Sequence, residues 1–317
     1  MTNEEKTKRC QALVEECLKA KRFEEAIALY RQLINLNPAD DSYRLGLAWT
    51  YHDCGNADQA VACFEHVFEK ELQRRIFTGF AFDELVRIFK ENKKYDRLVE
   101  ICERAAAAQP GDVALLAELG DAYLKAGRPG DAVRVFERVT VMEPDAPAFF
   151  FSLGQARIMN RDFTGGEAAY RRVAALDVCE TRSVYSRMAQ SFLEAGQAEK
   201  AETALRDGLA EHNDDPILLL GLGDVLIRQG KISEGSEAYE KVIALDPDAS
   251  GVYLNRLGHT LARARRHREA VAAFRSALAH DPQNPFYGLA LSESCRALGD
   301  PEPASEALRP SQQVKRT

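Results

Sequence analysis

Residues 119–144 read LGDAYLKAGRPGDAVRVFERVTVMEP. Gly120, Tyr123, Ala132, Phe136 and Pro144 stand there at offsets that return along the chain. With Val113 counted as position 1, positions 4, 7, 8 and 11 are Leu116, Leu119, Gly120 and Tyr123. Positions 20, 24, 27 and 32 are Ala132, Phe136, Val139 and Pro144. At about 100° per residue, positions 4, 7, 8 and 11 form one stripe of a first helix, A. Small residues at 8 and 20 let a second helix, B, come close, and the ring at 24 fills the space beside them.

The same spacing fits starts at Thr7, Asp41, Gly79, Pro147, Arg182, Pro216 and Gly251. Position 8 then reads Val14, Ala48, Val86, Gly120, Gly154, Ala189, Gly223 and Gly258. Position 20 reads Ala26, Ala60, Leu98, Ala132, Gly166, Ala201, Gly235 and Ala270. Position 24 carries a Tyr or Phe ring except at Cys102 and Leu205. Gly55, Gly127, Gly196 and Gly230 fall at position 15, where helix A ends and a left-handed residue is wanted. Pro38, Pro110, Pro144, Pro247 and Pro282 stop helix B, and Asp40, Asp112, Asp145, Asp248 and Asn284 follow as candidate caps of the next A helix.

This pattern resembles the tetratricopeptide repeat, a helix–turn–helix unit of about 34 residues. The resemblance implies an all-α, right-handed superhelical α-solenoid of eight helix pairs over residues 1–299, with a capping helix at 285–298 and a flexible tail at 300–317. Ser292, Ser294 and Arg296 are expected to give the capping helix a polar outer face. The tail offers one weak helical turn, at Ala304–Leu308. Repeat 3 starts four residues late, and Leu72 stands where repeat 2 should have its stop proline. The B helix of repeat 2 is therefore expected to run on by about one turn. Val86, Leu98 and Cys102 should loosen the packing of repeat 3, with a local kink in the superhelix.

Composition narrows the function classes. Of 317 residues, 45% are hydrophobic and 29% charged, as in ordinary soluble protein. No apolar run approaches the roughly 18–20 residues of a membrane span, and the charged N-terminus lacks a signal-peptide core. A cytoplasmic protein is expected. The seven cysteines contain no C-x-x-C pair and read as reduced thiols. The six histidines show no H-x-x-x-H or H-E-x-x-H pairing. Asp214–Asp215 fits a helix cap before Pro216, and the G-x-G of residues 221–223 lies inside a helix A. No catalytic residue, metal site or cofactor is expected.

Net charge is −7, yet residues 250–317 hold 10 Lys+Arg against 6 Asp+Glu, which leaves −11 for the first 249. The acidic total disfavours nucleic acid as a partner.

Function should then lie on a surface, and the family resemblance places partners on the concave face lined by A helices. Positions 2, 5, 9, 12 and 13 lie opposite the core stripe. One family mode clamps a terminal carboxylate with asparagines on this face. Position 9 reads Glu15, Trp49, Arg87, Asp121, Gln155, Gln190, Asp224 and His259, without asparagine, so that mode is not implied.

Phe151, Ile158, Ile217, Leu220 and Ile227 are expected as apolar groove residues, bordered by Arg187 and Arg228. The alternative is that neighbouring A helices cover them. Arg256, His259 and Arg263 continue the face into a stretch with five arginines within residues 256–268. Lys or Arg at the end of an A helix also suits the helix dipole, yet this density exceeds that need and fits an acidic partner segment. Trp49, the one tryptophan, is a secondary candidate; sideways packing on repeat 3 is the preferred reading for it. Two function classes follow: a non-enzymatic scaffold or adaptor that binds a protein or peptide in the groove, or a self-assembling oligomer built by end-to-end repeat contacts.

Overall fold

The computed structural model describes residues 2–74, 79–176 and 181–299. Cys179 and the tail from residue 300, with the turn expected at Ala304–Leu308, lie outside them. Among the described residues the chain is all α-helical, without strands. It divides into two compact units, residues 1–142 and 143–317. The first holds α1 (Asn3–Lys19) paired with α2 (Phe23–Leu36), α3 (Ser42–Asp53) with α4 (Ala57–Arg74), α5 (Phe80–Glu91) with α6 (Tyr95–Ala108), and α7 (Val113–Lys125) with α8 (Pro129–Met142). The second holds α9 (Pro147–Met159) with α10 (Phe163–Leu176), α11 (Thr181–Glu194) with α12 (Ala198–Glu211), α13 (Pro216–Arg228) with α14 (Ile232–Leu245), α15 (Ser250–Arg263) with α16 (His267–His280), and finally α17 (Pro285–Ala297).

Odd-numbered helices are A and even-numbered ones B. Every A helix ends on a left-handed residue at position 15. Besides the four glycines expected there, Lys21, Lys93, Arg161 and Arg265 adopt φ between 54° and 65°. A side chain in that region costs roughly 1–2 kcal/mol, so these four sites are held by the turn around them. The turn closes by backbone bonds, as in Asn56 N–H to the Tyr51 carbonyl at 2.8 Å. Gly299 has φ 77° at the same position after α17, so α17 ends as the A helices do.

The small residues at position 8 do the spacing work assigned to them. A Cβ added at Gly120 would lie 2.5 Å from the Phe136 ring, and one at Gly258 would lie 2.5 Å from Phe274. Real Cβ atoms do not approach so closely, so in these two repeats helix A lies as close to the position-24 ring as it does only without a side chain. Repeat 3 lacks this device. Leu98 and Cys102 are fully buried, and α5–α6 is the least extensive of the eight pair contacts. Helix α4 has 18 residues where the other B helices have 14, the extra turn expected from Leu72.

Side-chain caps form at Asp112, Asp215 and Asn284. Asp145 and Asp248 do not cap: Ala146 precedes α9, and Asp248 sits in a 3-10 turn, Pro247–Ala249. Of the three residues expected on the polar outer face of α17, Arg296 is exposed, and the two serines are corrected. Ser292 and Ser294 are 1% and 4% exposed, because positions 8 and 10 face the array in α17 as elsewhere. Phe286 and Leu289 take the outside instead, 74% and 50% exposed.

Candidate functional site

In the second unit, α11, α13 and α15 touch in succession and turn one face of each helix outward. The Asp215 carboxylate accepts from the Ile217 and Leu218 amides at 2.9 and 3.1 Å, which fixes the first turn of α13. A cavity of about 350 Å³ opens on this face. Arg187, Gln190, Ile217, Leu220, Asp224, Arg228 and Arg256 line it, with Leu205 and Val225 at its floor. Five of the nine candidate residues thus meet in one depression: Arg187, Ile217, Leu220, Arg228 and Arg256.

Their states differ. Ile217 is 51% exposed, a large aliphatic side chain held open to solvent beside two cations. Leu220 is buried to 8% and forms wall rather than anchor. Arg228 has no carboxylate partner among the described residues. Arg187 lies over the Phe151 ring, 4.4 Å from its centroid, and likewise has no carboxylate partner there. Arg256 is already neutralised: Asp224 accepts from it at 2.7 Å. The other oxygen of Asp224 accepts from Thr260 at 2.8 Å and from the Tyr239 hydroxyl. Burial pushes the Tyr239 hydroxyl well above its ordinary value, so it stays a donor to Asp224.

Three expected groove residues are corrected. Ile158 is fully buried, its Cγ1 only 2.5 Å from where a Gly166 Cβ would sit. Phe151 is 8% exposed and packs edge-on to Tyr170 at 5.8 Å, under Arg187. It edges a second, polar cavity of about 210 Å³ with Gln155, Gln190 and Glu194, but as a wall. Ile227 follows Ile158, buried to 1% against Gly235. The cause is angular. Taking position 2 as zero, positions 6, 9 and 13 fall within about 40° of it, while 5 and 12 lie about 60–80° to one side, under neighbouring elements.

His259 is exposed and stacks edge-on to Phe274 at 5.0 Å. Arg263 is exposed, with no carboxylate partner among the described residues. Trp49, in the first unit, is 45% exposed, and its ring meets Phe64 of its own repeat at 6.4 Å. Sequence reasoning passed over Val252 and Phe286, which share position 2 with Ile217 and are 60% and 74% exposed. Reading position 2 down the repeats would have found them.

Among the described residues, no group of three or more His, Cys, Asp or Glu is placed to hold a metal ion, and no helix is long and apolar enough to cross a membrane. Among the described cysteines, burial pushes Cys102 up to about 12, away from nucleophilic use.

Family profiles described as tetratricopeptide repeat match residues 18–77, 117–177, 192–255 and 255–309. The chain belongs to the tetratricopeptide repeat family. Tetratricopeptide repeat protein 8 of Caenorhabditis elegans is 22% identical over 156 residues, 49% of this chain and 31% of its own length. The peroxisomal targeting signal receptor of Candida albicans is 23% identical over 278 residues, 87% and 41%. That of Debaryomyces hansenii is 24% identical over 243 residues, 76% and 35%. The chain therefore spans well under half the length of these relatives. Among solved structures, a tetratricopeptide repeat protein from Parabacteroides merdae is 14% identical with a TM-score of 0.50, covering 80% of this chain and 98% of its own. At that identity the likeness shows the shared repeat fold alone.

Proposed function

We propose that this tetratricopeptide array is a protein-interaction scaffold, not an enzyme, and that it holds a segment of a partner on the helix-A face of its second unit. One observation carries the reading: an exposed aliphatic side chain, Ile217, stands with two carboxylate-free cations, Arg187 and Arg228, around one 350 Å³ cavity. Exposed apolar surface rimmed by charge marks binding sites, and guanidinium groups without partners in the free protein are open to a partner's carboxylates. The partner is thus a peptide segment with an apolar anchor and acidic flanks. Two relatives are targeting-signal receptors by name, which agrees with recognition rather than catalysis. A scaffold or adaptor in the cytoplasm fits this chemistry.

The test uses surface substitutions, which leave the core untouched. Partners retained by the wild type should be lost by Ile217→Asp combined with Arg187→Glu and Arg228→Glu, with the helical circular dichroism unchanged. Equal retention by the folded variant would remove the cavity from the account.

A further inference from the structure

Within the first unit, α3, α5 and α7 each pack against the B helix before them, and their position 7 (Leu47, Leu85 and Leu119) is no more than 6% exposed. Position 3 is buried and apolar in the same helices: Tyr43, Ala81 and Leu115. In α1 this flank is open. Leu13 at position 7 is 37% exposed, and position 3 is the exposed Arg9. A cavity of about 540 Å³ lies between this flank and α2, with Leu13, Leu29 and Leu36 as apolar walls and Lys6 and Arg9 among its lining residues. From α2 the polar lining is the two uncharged amides Gln32 and Asn35. This is the stacking flank of a repeat, turned away from the helix-A face that carries the site in the second unit.

The open flank carries its own complement. Lys6, Arg9, Leu13 and Glu16 follow one another at three or four residues, so they form one exposed stripe along α1. Lys6, Arg9 and Glu16 have no ion-pair partner among the described residues. Lys6 and Glu16 lie equally far to either side of residue 11, and so do Arg9 and Leu13. An antiparallel copy of α1, turned about a two-fold axis at residue 11, therefore sets Lys6 against Glu16 and the aliphatic stem of Arg9 against Leu13, each pair twice over. The two Leu13 side chains then stand four residues apart along the axes, about 6 Å, and meet at the separation of about 8–10 Å usual for packed helices. We propose that the occupant of this flank is a second copy of the chain: α1 and α2 of two copies form an antiparallel four-helix bundle that closes the cavity on both. The proposal is independent of the binding reading, which concerns the second unit.

A two-fold contact closes on itself, so the full chain should pass from monomer to dimer with rising concentration in sedimentation equilibrium and go no further. Leu13→Asp, at an exposed site, should weaken the dimer about tenfold or more with the helical circular dichroism unchanged. Lys6→Glu and Glu16→Lys each set like charges opposite one another and should weaken it several-fold. The exchanged chain, Lys6→Glu/Glu16→Lys, only inverts the pair and should recover the dimer. Phe286→Asp, on α17, should leave it unchanged. A monomer at every concentration overturns the proposal, and so does a dimer indifferent to Leu13→Asp. Growth into longer assemblies, or loss of the dimer through Phe286→Asp, assigns the contact to an end-to-end mode and overturns it too. Failure of the exchanged chain to recover what the single variants lose overturns the antiparallel pairing on which the proposal stands.

Discussion

A Cβ built on Gly223 would lie 2.8 Å from the Tyr239 ring and 3.1 Å from the Gly235 carbonyl oxygen. The ring can tilt, but the carbonyl belongs to the backbone of α14, so the helices themselves must part. Gly223→Ala should therefore lose about 1–3 kcal/mol in chemical denaturation, and an unchanged midpoint would refute the close approach. This constraint was legible in the sequence, because position 8 recurs as a small residue in six of eight repeats. The fate of Phe151 and Ile158 was not. An apolar residue at position 5 or 12 looks the same on paper whether solvent or a neighbouring helix covers it. Ile158 is buried because Gly166 at position 20 opens room for it, and Ile227 uses Gly235 in the same way. That pairing of position 12 with a glycine at 20 was the available signal.

At the scale of elements, successive repeats are joined by a hydroxyl pair. The Tyr170 hydroxyl of α10 and Ser191 of α11 meet at 2.7 Å, both buried. Tyr239 of α14 stands 3.5 Å from Thr260 of α15. Position 24 thus pairs with position 10 of the next repeat, and where 24 is apolar, 10 is apolar too: Ile88 after Phe64, Ala122 after Cys102, Val225 after Leu205. Tyr30 and Thr50 keep the residue types, although Thr50 donates instead to the Gly46 carbonyl at 2.7 Å. Phe274 with Ser294 departs from the pattern. Tyr170→Phe and Ser191→Ala should each cost about 1–2 kcal/mol, since each strands a buried hydroxyl or removes its bond. The double variant should cost less than their sum; strict additivity would show that the bond contributes nothing. The two serines assigned to the polar outer face of α17 failed for a related reason. Ser292 and Ser294 are small before they are polar, and the array buries them at positions 8 and 10.

Across the whole molecule, burial holds tyrosines of both units in the neutral form. Tyr123, Tyr170 and Tyr185 are pushed up to about 12, burial being the largest cause in each. The folded chain keeps these protons where the unfolded chain, near 10, releases them. Stability is thus fully present below about pH 10 and falls as pH rises through 12, by about 1.4 kcal/mol per pH unit for Tyr170 alone. The thermal midpoint should drop between pH 9 and pH 11, and less so in Tyr170→Phe; an equal drop in that variant would reject the assignment. Function was less legible than fold at this scale. Repeat chemistry identifies A and B helices, while the free faces depend on which neighbour covers which flank. The central claim is that the partner rests on the helix-A face of the second unit. The most direct measurement places a photo-crosslinking amino acid at Ile217 or, as a control, at exposed Glu240 on helix α14. Adducts with the same partner from the Ile217 site alone are predicted. Adducts from the Glu240 site alone would contradict the account.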